Sequence, residues 1–302
     1  MTDLDVDLSA LVHARLAAQP GRTPCPAGRD ALAVRLAETQ ASMRPAARPI
    51  CVLVFRRASG TGAPPLDLPD ITAHLPALGA AVVAVDVGQA DPRHLSISAS
   101  PPSEQLGQFA TAVAAGAAAV KSLAGRIRVV VPCVGEMPAL ERFAEALVAL
   151  LAPAPAAAVM RRLVGESPDG WESRTAGVEA TVRAADAVPD RIAALAGLCP
   201  PELAAVAGAI VEARRFALTL AIDSVAAAAA ALVAREIDGS SPDGLLAVGP
   251  AADPAYARAL RALSLDPITL PKAAAPPLCR LPALLDRAAA LFRRDASAPS
   301  PA

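Results

Sequence analysis

The stretch "VVVPCVGEMPALERFAEALVALL" (129–151) decides the fold of this 302-residue chain. It opens with an almost wholly apolar run, which is typical of a strand covered on both faces. A Gly-Glu-Met turn follows, and then apolar residues recur at helical spacing. This order predicts one unit of an open α/β sheet, in which ligands bind beyond the carboxyl ends of the strands. Glu136 in the turn is then either a ligand-binding carboxylate or the polar end of a strand, and both interpretations stay open.

The same alternation of short apolar runs and longer helical segments recurs along the chain, which indicates repeated βαβ units. Strands are predicted at 50–55, 80–87, 126–134, 217–222 and 244–249. Helices are predicted at 104–123, 138–151, 201–214, 225–236 and 254–263. The predicted fold class is α/β, with a mainly parallel sheet covered by helices on both faces, Rossmann-like and in three layers.

Two further helical segments, 28–43 and 281–295, flank this region. Because they bracket the sheet in sequence, we expect them to pack together. The predicted organisation is a large α/β domain over 48–275 and a small helical subdomain from 1–47 and 276–302, with a disordered tail "ASAPSPA".

Composition excludes several classes of function. The net charge of −1 gives no basic surplus for nucleic acid. The five cysteines are scattered and never in C-x-x-C spacing, so we expect neither a disulfide framework nor a metal site, and no cofactor. Charged residues interrupt the longest apolar tract, 203–234, and the N-terminus lacks a basic n-region. We therefore expect a cytoplasmic protein, off the membrane, with a small-molecule or protein partner.

Several segments, read in order, resemble one enzyme family. "ARLAAQPGRTPCPAGRDALAVRLAETQASMRP" (14–45) is similar to its opening, and "VVAVDVG" (82–88) to its "VVDVG" strand end. "FATAVAAGAAAVKSLAGRIRVVVPCVGEM" (109–137) resembles its segment ending in "GEM", and 194–234 and 251–268 resemble two later segments. The family is the nicotinate-nucleotide:dimethylbenzimidazole phosphoribosyltransferases of cobalamin lower-ligand synthesis.

The resemblance implies a specific reaction. Phosphoribose would pass from nicotinate mononucleotide to an aromatic base, with a glutamate as general base and no metal. It also implies a homodimer. By position in the matching segments, it implies that Gly135, Glu136, Met137, Gly165, Glu202 and Asp223 contribute to substrate binding. For Glu136, Glu202 and Asp223, a purely structural role at a helix start or a strand end stays open.

The chain also departs from the family pattern. The family's "GDHG" turn corresponds here to "RRASG" (56–60), and its "GIGNTT" turn to "PALERF" (138–143). The family's basic glutamate has no equivalent, because no glutamate follows Glu236; Asp266 and Asp286 are the nearest acids. The catalytic residue is therefore unknown. Two hypotheses follow: a phosphoribosyltransferase with a degenerate active site, or a catalytically silent relative that binds a ligand or a partner protein.

Overall fold

The computed structural model describes residues 8–17, 29–42, 45–56, 80–87, 102–134, 138–239, 243–268, 285 and 288–290. The predicted binding turn 135–137 and the predicted disordered tail lie outside these residues. Of the predicted helix 281–295, residues 285 and 288–290 are described, and they are helical.

Five parallel strands form one sheet in the order β2-β1-β3-β4-β5. Their bounds are β1 Ile50–Arg56, β2 Ala80–Asp86, β3 Val129–Val134, β4 Thr219–Ile222 and β5 Leu245–Ala247. In register, Val52 pairs with Val82 on one side and with Val131 on the other. All five predicted strands are confirmed, with ends that shift by at most three residues.

Ten helices are described around this sheet. Their bounds are α1 Leu8–Ala17, α2 Arg29–Thr39, α3 Pro102–Leu123, α4 Pro138–Leu151, α5 Ala156–Val159, α6 Pro168–Asp186, α7 Arg191–Leu198, α8 Pro201–Arg215, α9 Val225–Asp238 and α10 Pro254–Ala262. The five helices predicted between strands correspond to α3, α4, α8, α9 and α10, and the prediction over 28–43 corresponds to α2. Helix α1 and the three helices α5 to α7 were not predicted.

Successive residues of each strand face opposite sides of the sheet, and each side has its own core. Cys51, Leu53 and Phe55 join a large cluster with residues of α3, α4 and α6 to α10. Val52 and Val54 join a second cluster with residues of α1 and α2 and with Leu285, Ala288 and Ala289. The predicted three-layer α/β fold is confirmed, while the division into two domains stays a prediction.

Helices α3 and α8 meet at a crossing so close that their backbones touch. A Cβ atom added to Gly116 would lie 1.8 Å from the carbonyl oxygen of Ala205, and one added to Gly208 would lie 2.0 Å from that of Val113. Neither neighbour is a side-chain tip that could rotate away. Glycine is therefore required at both positions by the space between the helices rather than by backbone dihedral angles.

Arginines from three helices converge on the C-terminal end of α4. Arg191 donates to the carbonyl oxygen of Leu150 at 3.0 Å, and Arg235 to that of Leu151 at 3.4 Å. Arg258 donates to the carbonyl oxygen of Ala152 at 3.1 Å. The last carbonyls of a helix have no partner within the helix and carry partial negative charge, so these guanidinium groups satisfy and stabilise that end.

Within the described residues, Ser103–Leu123 in α3 is long and apolar enough to cross a membrane by length and composition alone. Core helices of soluble proteins meet the same criterion. Here Phe109, Ala112 and Val120 of this helix are buried in the large cluster. Since 22% of this stretch is buried, that membership accounts for only part of the apolar character of α3.

Gly208→Ala should lower the free energy of unfolding by about 3 kcal/mol, because the new methyl group must push the α3 backbone away. Urea denaturation followed by circular dichroism measures this loss. Gly177→Ala in α6 is the matched control: nothing lies within 4 Å of an added Cβ there. Its helical position predicts a gain of about 0.5–1 kcal/mol. Equal effects of the two substitutions would contradict the backbone contact.

Candidate functional site

The strand order creates a natural crevice beside β1. The chain leaves β1 for β2 on one side of it and later returns to β3 on the other side. Connections that diverge in this way open a crevice outside the carboxyl ends of the two strands, where open α/β folds bind their ligands. At that edge Phe55 of β1 pairs with Val134 of β3. The carboxyl edge between β1 and β3 is therefore the candidate site.

The predicted binding turn connects Val134, the last residue of β3, to Pro138, the first residue of α4. Gly135, Glu136 and Met137 themselves lie outside the described residues, so their role in binding stays a prediction. Because α4 starts directly after β3, its N-terminus lies toward the carboxyl edge. The partial positive charge of a helix N-terminus favours anions such as phosphate at this edge.

Asp223 follows the last residue of β4 at the same carboxyl edge, and it is partly buried. Burial raises the pKa of its carboxyl group to about 6, although its own backbone N–H, which hydrogen-bonds to the carboxylate, acts to lower it. Ser224 directly after it caps α9 by accepting a hydrogen bond from the Ala227 N–H at 3.3 Å. The capping role therefore belongs to Ser224, and the Asp223 carboxylate is not needed for it.

Tyr256 on α10 holds the backbone beneath Asp223. Its buried hydroxyl donates to the carbonyl oxygens of Ile222 and Val248, each at 3.1 Å, and so ties β4 to the end of β5. Burial, together with the nearby charge of Asp223, raises the pKa of this phenol well above its usual range. Tyr256 therefore stays a neutral donor, with its proton committed to backbone carbonyls.

Glu202 is buried in the first turn of α8, with 2% of its surface exposed. The loop from α8 to β4 spans residues 216–218, so the C-terminus of α8 lies near the amino end of β4. The first turn of α8 then lies toward the carboxyl edge. Burial, and secondarily the Glu202 charge, raise the pKa of Cys199. The structure thus places Glu202 and Asp223 toward one edge of the sheet, with Glu202 largely hidden from solvent.

Gly165 lies on an exposed turn between α5 and α6, with a positive φ of 79° that favours glycine. The next residue, Glu166, accepts a hydrogen bond from the Leu163 N–H at 3.0 Å and pairs with Arg174 at 2.8 Å. No atom lies within 4 Å of a Cβ added at Gly165. The conformation of this turn therefore follows from local bonds, and a role for Gly165 in binding stays a prediction.

A charged cluster beneath this turn was not predicted from the sequence. Its members are Glu145 of α4, Glu166, and Trp171 and Arg174 of α6; we call it the Arg174 cluster. Arg174 lies 3.5 Å from Glu145 and 5.2 Å from the centre of the Trp171 ring. Burial raises the pKa of Glu145 to about 7, although the hydrogen bond from the Arg161 N–H and the Arg174 charge act to lower it.

Two sequence signals could have pointed to these groups. Trp171 and Tyr256 are the only tryptophan and the only tyrosine of the chain. In a protein so poor in aromatic residues, each large ring is a candidate organising contact. Glu145, by contrast, interrupts the apolar run of α4 without any pattern that predicts its partners. Its contacts depend on α6, which was itself not predicted.

Within the described ranges, no group of three or more histidine, cysteine, aspartate or glutamate side chains is arranged to hold a metal ion. Among the described residues, Cys51, Cys133 and Cys199 form no disulfide bond with one another. The described part of the carboxyl edge presents carboxylates and helix N-termini, together with Arg56 at the end of β1 and Cys133 next to the end of β3.

Comparison with known proteins gives the chain a family. The sequence model DBI_PRT, described as phosphoribosyltransferase, matches residues 76–270, which is more than half of the chain. A nicotinate-nucleotide--dimethylbenzimidazole phosphoribosyltransferase from Methylorubrum extorquens is 33% identical over 128 residues, 38% of this chain and 37% of that protein. The protein of the same name from Mycobacterium tuberculosis is 36% identical over 126 residues, 41% of this chain and 35% of that protein. The match thus spans little more than a third of these relatives.

Solved structures agree on the fold over almost the whole chain. The crystal structure of CobT from Thermus thermophilus superposes with a TM-score of 0.73 at 22% identity, and the match covers 95% of this chain and 96% of that one. A second structure from the same organism, of the phosphoribosyltransferase, gives a TM-score of 0.71 at 22% identity, with 96% of each chain covered. At this identity the likeness shows the fold.

Asp223→Asn should stabilise the protein above pH 6. The folded state raises the pKa of Asp223 from 3.8 to about 6, so the native protein binds more protons than the unfolded chain between these values, and stability falls as pH rises through that window. The amide removes this cost, which we expect to be about 3 kcal/mol at pH 7.5 and close to zero at pH 3.5. Urea denaturation of both proteins at the two pH values measures it. Destabilisation at pH 7.5 would instead assign Asp223 a structural role.

Trp171 should report the ionisation of Glu145. When Glu145 ionises, its attraction for Arg174 increases and the guanidinium shifts against the indole ring, so emission should change with a midpoint near pH 7. Fluorescence titration from pH 5 to 9 measures this. Glu145→Gln should abolish the transition. Glu141→Gln should keep it at a slightly lower midpoint, because the Glu141 charge raises the pKa of Glu145. A transition that survives in Glu145→Gln would belong to another group.

Proposed function

The chain belongs to the nicotinate-nucleotide:dimethylbenzimidazole phosphoribosyltransferase family, and we propose that it transfers phosphoribose from nicotinate mononucleotide to an aromatic base. One observation carries the proposal: the family match over 76–270 contains β2 to β5, and among them β3, one of the two strands that border the candidate crevice. The active site is degenerate relative to the family pattern. The expected place of the reaction is the nucleotide-loop assembly of cobalamin.

In this proposal the carboxyl edge binds the nucleotide. The N-terminus of α4 faces the phosphate, since backbone N–H groups and the helix dipole favour an anion there. Glu136 lies at the ribose, where a carboxylate favours the positive charge that develops as the glycosidic bond breaks. Gly135 and Met137 complete the turn, and Glu202 and Asp223 contribute from the neighbouring elements. The proposal also gives Gly165 a role in substrate binding.

A second candidate function has a specific observation in its favour. The family's catalytic glutamate has no counterpart, because no glutamate follows Glu236. A relative without this base could bind nicotinate mononucleotide, or pair with a partner protein, without turnover. The homodimer and the cytoplasmic location implied by the sequence also stay predictions, and sedimentation of the purified chain tests the first of these.

Incubation with nicotinate mononucleotide and dimethylbenzimidazole tests the proposal. We expect formation of α-ribazole phosphate, followed by mass spectrometry, at a rate proportional to protein concentration. Isothermal titration calorimetry with nicotinate mononucleotide alone measures binding. Binding without product would favour the silent relative, and the absence of both would refute the proposed function.

Glu136→Ala should weaken binding of nicotinate mononucleotide at least tenfold, because the substituted chain loses the carboxylate that faces the positively charged part of the ligand. Calorimetry at low ionic strength measures the change. Glu179→Ala is the control, since Glu179 is an exposed glutamate of α6, outside the proposed binding elements. An unchanged affinity of Glu136→Ala would return Glu136 to a structural role at the end of its strand.

A further inference from the structure

The inference that follows rests on the proposed function. Transfer of phosphoribose to a benzimidazole releases a proton. The unprotonated ring nitrogen of the base forms a bond to C1′ of the ribose, and the bond from C1′ to the nicotinate nitrogen breaks, with its electron pair returning to the pyridine ring. The second ring nitrogen of the base then loses its proton. An active chain needs an acceptor for that proton close to the acceptor base.

Most of the acidic groups described near the carboxyl ends of the strands are already engaged. Asp86 at the end of β2 pairs with Arg56 at 2.8 Å. Asp253 after β5 accepts hydrogen bonds from the N–H groups of Ala255 and Tyr256 and so caps α10. Glu202 is almost fully buried. A carboxylate whose oxygens already accept hydrogen bonds from an arginine or from two backbone donors is less available to take a proton from a ligand.

Asp223 differs from these groups in its surroundings. It lies directly after β4, it is partly exposed, and the group that hydrogen-bonds to its carboxylate is its own backbone N–H. The neighbouring Tyr256 hydroxyl points its proton at the carbonyl oxygens of Ile222 and Val248. The Asp223 carboxylate, partly exposed at the carboxyl end of β4, is therefore placed to accept a proton from a ligand in the crevice.

We propose that Asp223 is the proton acceptor that replaces the family's missing glutamate, taking the proton from the second ring nitrogen of the incoming aromatic base. The position suits this role, because β4 is the parallel neighbour of β3 and both strands end at the same edge of the sheet. Burial supports it as well, since a pKa of about 6 makes Asp223 a stronger base than an ordinary carboxylate while it stays ionised at neutral pH.

Steady-state kinetics of Asp223→Asn tests this assignment. We expect kcat to fall at least 100-fold, a much larger change than any rise in the dissociation constant for nicotinate mononucleotide. Asp223→Glu should keep measurable turnover, because it retains a carboxylate. Asp266→Asn is the control and should keep wild-type kinetics. Asp266 is an exposed acid in the loop after α10. The wild-type pH profile of kcat/KM should rise with an apparent pKa near 6, and that limb should be missing from the residual activity of Asp223→Asn.

The outcomes separate this inference from the proposed function. If wild type turns over and Asp223→Asn does so within threefold, Asp223 is not the acceptor and the proposed function stands. A wild-type pH profile of kcat/KM that is flat from pH 5 to 8 also overturns the inference, and this measurement needs no variant. If wild type forms no product at all, both the activity and the acceptor role fail. Denaturation curves show whether Asp223→Asn is folded. If Asp223→Glu is folded but has lost turnover, that result also counts against the assignment.

Discussion

The close contact between α3 and α8 is the constraint on which the helical layer depends. Gly116 and Gly208 let two backbones touch where any side chain would separate them. Each helix leads directly into a strand, α3 into β3 and α8 into β4, and these strands are neighbours in the sheet. The distance between the helices therefore helps to set where both strands sit. Because Asp223 and the turn at 135–137 follow these strands, the geometry of the carboxyl edge is tied to a contact on one face of the sheet.

The sequence predicted the repeated strand and helix units well, because buried parallel strands such as Val129–Val131 are almost continuously apolar. It did not predict α6, since that helix buries only Val178, Thr181 and Ala185 and shows a weak apolar period. The segment before it, "APAPAAA" (152–158), contains two prolines that favour a loop, although residues 156–159 form α5. The order of the strands, and therefore the crevice between β1 and β3, follows from long-range packing that no local pattern encodes.

The candidate site shows the same limit. The resemblance to the family identified Asp223 and Glu202 by position, yet it could not tell that the first is accessible and the second is buried. It also left out Tyr256, which fixes the backbone at the ends of β4 and β5. A partly buried carboxylate with a raised pKa opposes folding at neutral pH, and proteins keep such groups mainly where function requires them. The stability that the protein loses when Asp223 ionises at neutral pH therefore itself points to a functional role for this residue.

The arginines at the end of α4 bear on how the chain can fold as it is made. Arg191, Arg235 and Arg258 are supplied by segments that follow α4 by about 40 to more than 100 residues. A nascent chain that has emerged only through Leu151 has none of these donors, so the carbonyls at that end must rely on water. The helix can form early, but its end is completed only when α10 has left the ribosome. Domain-wise folding during synthesis is therefore delayed here, and the last third of the chain closes a structure begun in the middle.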